Sequence, residues 1–95
     1  MSDAAKTALR ELLTGIVRSL VERPDEVAVE VVEGVNQSTL QVRSHPADVR
    51  KLIGEHGRTA DAIRVLVNAS AVKRGFGRFN IEFAQTNAAS SGGPE

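Results

Sequence analysis

Two glycines three residues apart, Gly54 and Gly57, stand between two apolar helical patterns and are followed at once by Arg58. Glycine lets the backbone turn sharply and has no Cβ to keep another chain away. The N–H groups at the start of the following helix, together with the positive end of its dipole, favour an anion here. The pattern therefore predicts a small phosphate-binding site. On spacing alone, a tight corner between two helices is the more frequent explanation of such glycines.

The charges of the chain are unevenly distributed. Twelve basic and twelve acidic residues give a formal net charge of zero. Residues 43–78, however, contain eight basic and three acidic side chains, a local charge of +5, and the rest of the chain carries −5. Because local rather than total charge attracts a phosphate backbone, this segment suits a nucleic-acid partner. A solvated face without a partner has the same charge pattern.

Residue types that carry catalysis or bind metals are sparse. The chain has no cysteine, which excludes a thiolate nucleophile, a disulfide framework and a thiolate-bound metal. His45 and His56 lack the spacing of metal ligands on a helix, and no acidic pair joins them. Arg58-Thr59 lacks the lysine that a P-loop has after its glycines. We therefore expect neither an enzyme nor a protein with a cofactor, a metal or a small-molecule substrate.

The residues before the corner predict one helix and two strands. Pro24 should end the helix, because a helix rarely runs past the residue before proline. Its apolar stripe consists of Ala5, Ala8, Leu9, Leu12, Leu13, Ile16, Val17, Leu20 and Val21. Residues 27–32 alternate in the pattern of a half-buried strand. A loop over 33–38 leads to a second strand over 39–43, so the two strands should form an antiparallel hairpin.

The C-terminal half predicts two helices and a strand. Pro46 suits the first position of a helix that ends before Gly54, with His45 at its start. A second helix begins directly after Gly57 and is capped by Gly75. Its apolar stripe consists of Ile63, Leu66, Val67, Ser70 and Ala71. Residues 78–83 then alternate as a third strand, whose buried face carries Phe79, Ile81 and Phe83.

This order of elements, α-β-β-α-α-β, defines an α+β fold. Two helices between the second and third strands form a crossover, which places these strands parallel. Alternation in all three strands predicts a three-stranded mixed sheet with three helices on one face. We expect one domain over residues 1–86 and a disordered tail over 87–95. Since neither a membrane span nor a secretion signal is evident, we expect a cytoplasmic protein without a membrane partner.

Several short motifs in this arrangement resemble the KH domain. Ile53-Gly54-x-x-Gly57-Arg58 between two helices is similar to the GxxG loop with which KH domains clamp a single-stranded backbone. The extra helix and strand before the core resemble the type II arrangement. Segments 23–27, 44–49, 52–58 and 62–67 are similar to the small bacterial single-KH proteins of the KhpA family. This likeness covers about residues 6–84.

The resemblance implies a function and partners. Proteins of this family are RNA-binding proteins or RNA chaperones, and they are linked to cell-wall homeostasis and cell shape. They act as homodimers or as heterodimers with a second, Jag-like KH protein. Carried over to this chain, the likeness implies a single-stranded RNA site without a cofactor. Its residues are Ile53, Gly54, Glu55, His56, Gly57, Arg58, Lys51 and Arg64.

The loop departs from the family pattern in its charges. Glu55 and His56 stand where the family usually has a basic residue, and Asp61 stands where a relative has lysine or a neutral residue. Because a carboxylate at Glu55 repels phosphate, we expect weak RNA affinity. A protein-interaction module with a KH fold is the alternative function, and single-stranded DNA binding is a third.

The aromatic residues argue against base stacking on the sheet. They are Phe76, Phe79 and Phe83, and the last two lie on the face that packs on the helices. RNA-recognition sheets need exposed rings instead. We expect bases to lie in an apolar groove beside the corner, with a floor of Val49, Leu52, Ile53 and Ile63.

Overall fold

The computed structural model describes residues 3–85 and confirms the predicted order of elements. The helices are α1 (Asp3–Arg18), α2 (Pro46–Ile53) and α3 (Arg58–Lys73). The strands are β1 (Ala28–Val32), β2 (Thr39–Ser44) and β3 (Asn80–Gln85), and short 3-10 turns cover Pro24–Glu26 and Glu55–Gly57. The predicted tail over 87–95 lies outside the described residues. Within residues 3–85, none of the helices has the length and apolar character needed to cross a membrane.

The three strands form one mixed sheet in the order β1-β2-β3. β1 and β2 pair antiparallel, with Val29 opposite Val42. β2 and β3 pair parallel, with Val42 beside Phe83. The predicted hairpin and the predicted crossover are both confirmed. Within residues 3–85, β3 is an edge strand, because β2 is its only neighbour in the sheet.

One apolar core lies between the sheet and the helices. Its buried side chains come from every helix and every strand: Leu9, Leu13, Val17, Val27, Val29, Leu40, Val42, Leu52, Ile63, Val67, Ala71, Phe79 and Ile81. The alternate strand residues, such as Glu30, Gln41 and Glu82, are exposed or half-buried. Helices therefore cover one face of the sheet and leave the other to solvent, as the alternation predicts.

α1 ends at Arg18, so the prediction that Pro24 ends this helix was wrong. The Ser19 hydroxyl donates to the carbonyl of Ile16 at 2.7 Å. The Leu20 N–H also bonds a carbonyl three residues back, at 3.0 Å. Such bonds tighten the last turn of a helix and let the chain leave it. Leu20 is consequently 43% exposed, although its spacing predicts a buried position.

α3 buries a narrower stripe than its sequence predicts. Ile63, Val67 and Ala71 are buried, and Ala60 extends the stripe by one turn. Leu66 is 57% exposed, so its predicted place on the buried stripe was wrong. Consecutive residues are rotated by about 100° around a helix, which places Leu66 well away from Val67. The sheet covers only the strip of α3 that faces it.

Gly75 ends α3 as predicted. Its φ of 82° is left-handed, and its N–H donates to the carbonyl of Val72 at 3.0 Å. The Phe76 N–H donates to the carbonyl of Ala71 at 2.8 Å. These two bonds form a Schellman motif, which satisfies carbonyls at the end of the helix. The chain then turns back towards β3.

Replacing Leu13 by alanine is expected to destabilise the protein by about 2–5 kcal/mol, because it opens a cavity in the core. Leu13 is fully buried, whereas Leu66 is mostly exposed, so Leu66→Ala is the matched control. The control should change the free energy of unfolding by about 0.5 kcal/mol or less. Urea unfolding followed by circular dichroism measures both variants. Equal losses for the two leucines would contradict the orientation of α3.

Candidate nucleic-acid interface

The corner between α2 and α3 contains three residues with positive φ. Gly54 has φ 76° and ψ 176°, His56 has φ 58° and ψ 25°, and Gly57 has φ 72° and ψ 13°. The combination at Gly54 is essentially restricted to glycine. Histidine is among the residues that tolerate the left-handed helical region. The chain thus turns between α2 and α3 over residues 54–57, and α3 begins immediately at Arg58.

Space as well as backbone angle requires a glycine at position 54. A Cβ on Gly54 would lie 2.7 Å from the Cβ of Thr59 and 3.0 Å from the backbone nitrogen of Thr59. A Cβ on Gly57 would meet no atom of the described residues within 4 Å. The first glycine therefore allows the end of α2 to approach the first turn of α3. At Gly57, glycine is needed only because of the positive φ.

Three N–H groups of the corner bond within the protein. Gly54 donates to the carbonyl of Arg50 at 2.8 Å, and Gly57 donates to the carbonyl of Gly54 at 3.2 Å. The Arg58 N–H donates to the carbonyl of Glu55. Of the N–H groups at the start of α3, which the sequence predicts to favour an anion, that of Arg58 is therefore already engaged, because it closes the turn. The positive end of the α3 dipole still faces the loop.

The side chains of the corner lie at the surface. Ile53 is 39% exposed, and Glu55, His56 and Arg58 are exposed. Within the described part of the chain, Arg58 forms no salt bridge and no side-chain hydrogen bond. Its guanidinium is therefore available to bind an anion, whereas the negative charge of the Glu55 carboxylate repels an anion at the same corner.

Lys51, a predicted site residue, is engaged by two carboxylates. Its Nζ lies 2.7 Å from Oε2 of Glu22 and 3.9 Å from Oδ1 of Asp48. The hydrogen bond from Lys51 holds the pKa of Glu22 below its ordinary value of 4.5. The stabilisation from this pair is present above that value and is lost as the pH falls through the lowered pKa. A phosphate at Lys51 would have to compete with Glu22.

A buried carboxylate, Asp48, fixes α2 in place. Asp48 is fully buried, and its two oxygens accept the backbone N–H groups of Glu22 at 3.3 Å and Arg23 at 3.1 Å. The segment between α1 and β1 is thereby tied to the helix that leads into the corner. This buried role of Asp48 was not predicted from the sequence. The available signal was its position four residues before the buried Leu52, on the same face of α2.

Arg64, another predicted site residue, joins α3 to β3. Its Nε donates to the carbonyl of Ile81 at 3.2 Å, and its Nη1 lies 3.2 Å from Oδ1 of Asp61. The guanidinium also lies 5.5 Å from the centre of the Phe83 ring. Arg64 is seven positions after Gly57, about 10 Å along the helix. The structure therefore places Arg64 at the edge of the sheet, about two turns beyond the corner.

Asn68 bonds the same edge of β3 and was missed by the sequence analysis. Its Nδ2 donates to the carbonyl of Phe79 at 3.0 Å, and its Oδ1 accepts the Phe79 N–H at 2.7 Å. The Asn80 N–H instead bonds the carbonyl of Ser38, on the β2 side. Because backbone groups of successive residues point to opposite sides of a strand, Phe79, Ile81 and Phe83 share the free edge. We call their outward N–H and C=O groups the β3 edge.

Two grooves border the exposed face of α3. The groove on the α1 side has a volume of about 350 Å³ and is lined by Leu20, Arg58, Thr59, Ala62, Ile63 and Leu66. The groove on the β3 side has a volume of about 550 Å³ and is lined by Arg64, Val65, Asn68, Ala69, Val72, Lys73 and Arg78. Of the predicted groove floor, only Ile63 lines either groove, and Leu52 is fully buried in the core. The prediction that Leu52 forms the floor was wrong.

The order of elements, the parallel β2–β3 pair bridged by two helices, and the GxxG corner between those helices define a KH domain. A model of the family described as KhpA/KhpB, KH domain matches residues 10–83. The chain therefore belongs to the KhpA/KhpB KH-domain family.

Curated relatives agree with this assignment. The chain is 48% identical over 63 residues to RNA-binding protein KhpA of Borreliella burgdorferi. The matched segment covers 66% of this chain and 77% of the relative. It is 45% identical over 65 residues to RNA-binding protein KhpA of Clostridium acetobutylicum, with coverages of 68% and 87%. Among solved structures, Aquifex aeolicus Era bound to GDP·AlF4− matches with a TM-score of 0.58 at 15% identity, over 82% of this chain and 30% of that chain. At this identity, the match to Era concerns the fold alone.

Replacing Gly54 by alanine is expected to destabilise the protein by about 3 kcal/mol or more, because the substitution combines a strained backbone with a clash against Thr59. Gly57→Ala is the matched control, since only its positive φ opposes the change, and it should cost about 1–2 kcal/mol. Thermal and urea unfolding of both variants measure the difference. A larger loss at Gly57 than at Gly54 would contradict the corner geometry.

Replacing Asp48 by alanine is expected to destabilise the protein by about 2–4 kcal/mol, because it leaves the N–H groups of Glu22 and Arg23 without their acceptor. Asp61→Ala is the control, since its side chain is 73% exposed and its ion pair with Arg64 lies at the surface. Such a pair contributes about 1 kcal/mol or less. Urea unfolding at pH 7 compares the two. A harmless Asp48→Ala would show that this carboxylate does not hold α2.

Proposed function

We propose that the protein binds single-stranded RNA at the corner between α2 and α3 and along the β3 side of α3. The observation that carries the proposal is the guanidinium of Arg58, which has no partner among the described residues and lies beside a turn bounded by glycines, at the positive end of a 16-residue helix. An anion such as phosphate is favoured at such a helix start. The curated relatives, which are named RNA-binding protein KhpA, support RNA as the ligand.

Positive side chains continue from the corner along α3. Arg58 stands at the corner and Arg64 at the β3 edge, and Lys73 and Arg78 line the far end of the larger groove. α3 is about 24 Å long at 1.5 Å per residue. This length suits the four nucleotides that a GxxG loop clamps. RNA phosphates would follow these cations, with the bases turned towards the groove between α3 and β3.

Two features keep the expected affinity low. The Glu55 carboxylate is exposed on the loop and repels phosphate. Phe79 is buried and Phe83 is half-buried, so the sheet offers no exposed ring for base stacking. Binding should therefore rest on a few phosphate contacts and weaken steadily with added salt, by a logarithmic slope of about −0.7 per contact.

The family resemblance suggests a wider role for the same unit. In this proposal the protein is a cytoplasmic RNA chaperone that acts as a homodimer or with a Jag-like KH protein, in regulation linked to cell-wall homeostasis and cell shape. Residues 1–86 form the RNA-binding domain. A weak single site gains affinity when two copies bind one RNA strand, because the second contact becomes intramolecular.

Exposed apolar residues on α3 favour a second candidate function. Val65, Leu66 and Val72 are 69%, 57% and 51% exposed. Their exposure suits a protein-interaction module that has kept the KH fold and lost most of its RNA affinity. Light scattering after size-exclusion chromatography, together with crosslinking and sequencing of bound RNA in cells, separates the two functions. A stable dimer without recovered RNA would favour the interaction module, and titration with matched single-stranded DNA tests the third candidate.

Replacing both Glu55 and His56 by aspartate is expected to abolish RNA retention and to leave the melting temperature close to that of the wild type. The added negative charge repels phosphate, and aspartate tolerates the left-handed backbone at position 56. Gln41→Glu is the matched control: it adds one negative charge on the open face of the sheet and keeps the oxygen that accepts from Arg43 at 2.9 Å. Filter retention and fluorescence anisotropy with labelled RNA measure binding.

Unchanged binding by the double aspartate variant would show that the corner is not the RNA site. An equal loss in Gln41→Glu would show that total charge, rather than charge at the corner, controls binding. The proposal is supported if Gln41→Glu retains RNA and the double aspartate variant does not.

A further inference from the structure

The hydrogen bonds of the sheet show which backbone groups of β1 point away from it. The Asn80 N–H donates to the carbonyl of Ser38, just before β2, so by alternation the even-numbered residues of β2 face β3 and the odd-numbered residues face β1. The register partners of those odd-numbered residues are the even-numbered residues of β1. Val29 and Val31 therefore turn their N–H and C=O groups outwards. We call these four groups the β1 edge.

The two outer edges of the sheet differ in whether side chains occupy them. At the β3 edge, Asn68 bonds both backbone groups of Phe79, and Arg64 bonds the carbonyl of Ile81. Within residues 3–85, the four groups of the β1 edge have no such partner. Backbone polar groups without a protein partner are left to water. An open edge of this kind is a template for pairing with another strand.

A groove between α1 and β1 gives access to the β1 edge. It has a volume of about 460 Å³, and its lining includes Arg10, Thr14, Gly15 and Arg18 of α1 and Ala28 and Val29 of β1. The Thr14 hydroxyl turns back to the carbonyl of Arg10, at 2.6 Å. A Cβ on Gly15 would meet no atom of the described residues within 4 Å. The α1 side thus leaves room for a chain that pairs with β1.

Two arginines determine the charge of this groove. Arg10 and Arg18 are exposed, and neither has a salt bridge or a side-chain hydrogen bond with another described residue. Among the residues that line the groove, Glu11 is the one acid. Glu30 of β1 lies on the open face of the sheet, with its Oε1 3.9 Å from Nε of Arg43. The groove therefore favours acidic side chains on a ligand.

The spacing of the two arginines suits an extended chain. Arg10 and Arg18 are eight positions apart in one helix, about 12 Å along its axis. Acidic residues four positions apart in a strand lie on the same face and about 13 Å from each other. One strand of five residues can therefore place a carboxylate near each arginine.

We propose that the β1 edge is a docking site for an acidic, extended segment of a partner protein, which pairs with Val29 and Val31 as a fourth strand and places carboxylates near Arg10 and Arg18. Main-chain bonds give such a strand its affinity, and the flanking side chains give it selectivity. A nucleic-acid backbone lacks the alternating N–H and C=O groups that this edge requires. The lining of the groove also contains no aromatic residue for base stacking.

This site goes beyond the proposed RNA-binding function and is separate from it. β1 and β3 lie on opposite sides of β2, about 10 Å apart across the sheet. A strand paired with β1 therefore leaves β3, and the groove between α3 and β3, accessible.

A ten-residue peptide that alternates glutamate and threonine, with both ends blocked, is the appropriate probe. Threonine favours the extended conformation, and the alternation puts the carboxylates on one face. Amide chemical shifts of the whole protein, at pH 7 and constant salt, follow the titration. The amides of Val29 and Val31 should shift, and those of residues 54–57 should not.

Two variant peptides separate main-chain pairing from charge. A peptide with N-methyl groups on its four central residues has lost the donors of both its edges and should leave the amides of Val29 and Val31 unshifted. A peptide that alternates lysine and threonine should bind at least about fivefold more weakly than the glutamate peptide, because it places ammonium groups beside the arginines.

Two variants of the protein test the same two contributions. Val31→Pro removes an outward N–H and keeps the bonds to β2, and it should weaken peptide binding about fivefold relative to Val31→Ala, the control that keeps this N–H. Arg10→Gln combined with Arg18→Gln should abolish the advantage of the glutamate peptide over the lysine peptide. Arg50→Gln combined with Arg74→Gln, which removes two exposed charges outside the groove, is the matched control. Thermal melts confirm folding, and the arginine variants keep the test valid should Val31→Pro unfold.

Unshifted amides at Val29 and Val31 in a millimolar excess of the glutamate peptide would overturn the proposal, as would equal binding of the N-methylated peptide. Shifts of these amides with rising protein concentration alone would identify a second copy as the occupant. Shifts caused by single-stranded RNA in place of the peptide would identify RNA. Both results would also overturn the proposal, and each would leave the test of the corner unchanged.

Discussion

Parallel pairing of β2 and β3 is the constraint on which the rest of the structure depends. A hairpin cannot join parallel neighbours, so the chain that leaves β2 at Ser44 must return to the opposite end of the sheet before β3 begins. α2 and α3 make this return, and α2 has only eight residues. The turn between the two helices lies at the surface, since Glu55 and His56 are exposed. The exposed turn between the glycines follows from the way the sheet is connected.

Hydrogen bonds from side chains to backbone hold the elements around this turn. Asp48 bonds the segment after α1, and Asn68 and Arg64 bond β3 from α3. The apolar core sets how the layers face each other, but its contacts tolerate small shifts along a helix or strand. Directional bonds do not tolerate such shifts. The distance between the corner and the β3 edge is thus set by a few polar side chains at the border of the core.

The local sequence pattern was sufficient to predict most of the fold. It was insufficient to predict many of the side-chain contacts at the site. Alternation identified all three strands, and Pro46 and Gly75 marked helix ends, because these signals depend only on neighbouring residues. The end of α1 was missed because the Ser19 hydroxyl competes for a helix carbonyl within an unbroken apolar pattern. Leu66 was misplaced because helical spacing alone does not show how wide a stripe the sheet covers.

Among the site residues, too, some positions follow from neighbouring residues in the sequence and others depend on tertiary contacts. Arg58 lies at the corner because it is adjacent in sequence to Gly57. Lys51 is engaged by Glu22, and Arg64 binds a carbonyl 17 residues away. Which backbone group a long side chain reaches is decided by tertiary structure, so no spacing rule predicts it. The family resemblance identified the loop but carried no information about these pairings.

At Gly57, glycine is required only because the backbone angle has the handedness that L-residues disfavour. Among residues 3–85, no atom lies within 4 Å of a Cβ at position 57, so the backbone angle alone disfavours L-alanine there. A D-amino acid has the mirrored preference, so D-alanine would fit the native angle and also restrict the unfolded chain. At Gly54 the neighbouring Thr59 excludes a Cβ placed as an L-residue has it. The two glycines of the motif are thus required for different reasons. Gly57 is required by the chirality of the backbone angle, and Gly54 by that chirality and by the space next to Thr59.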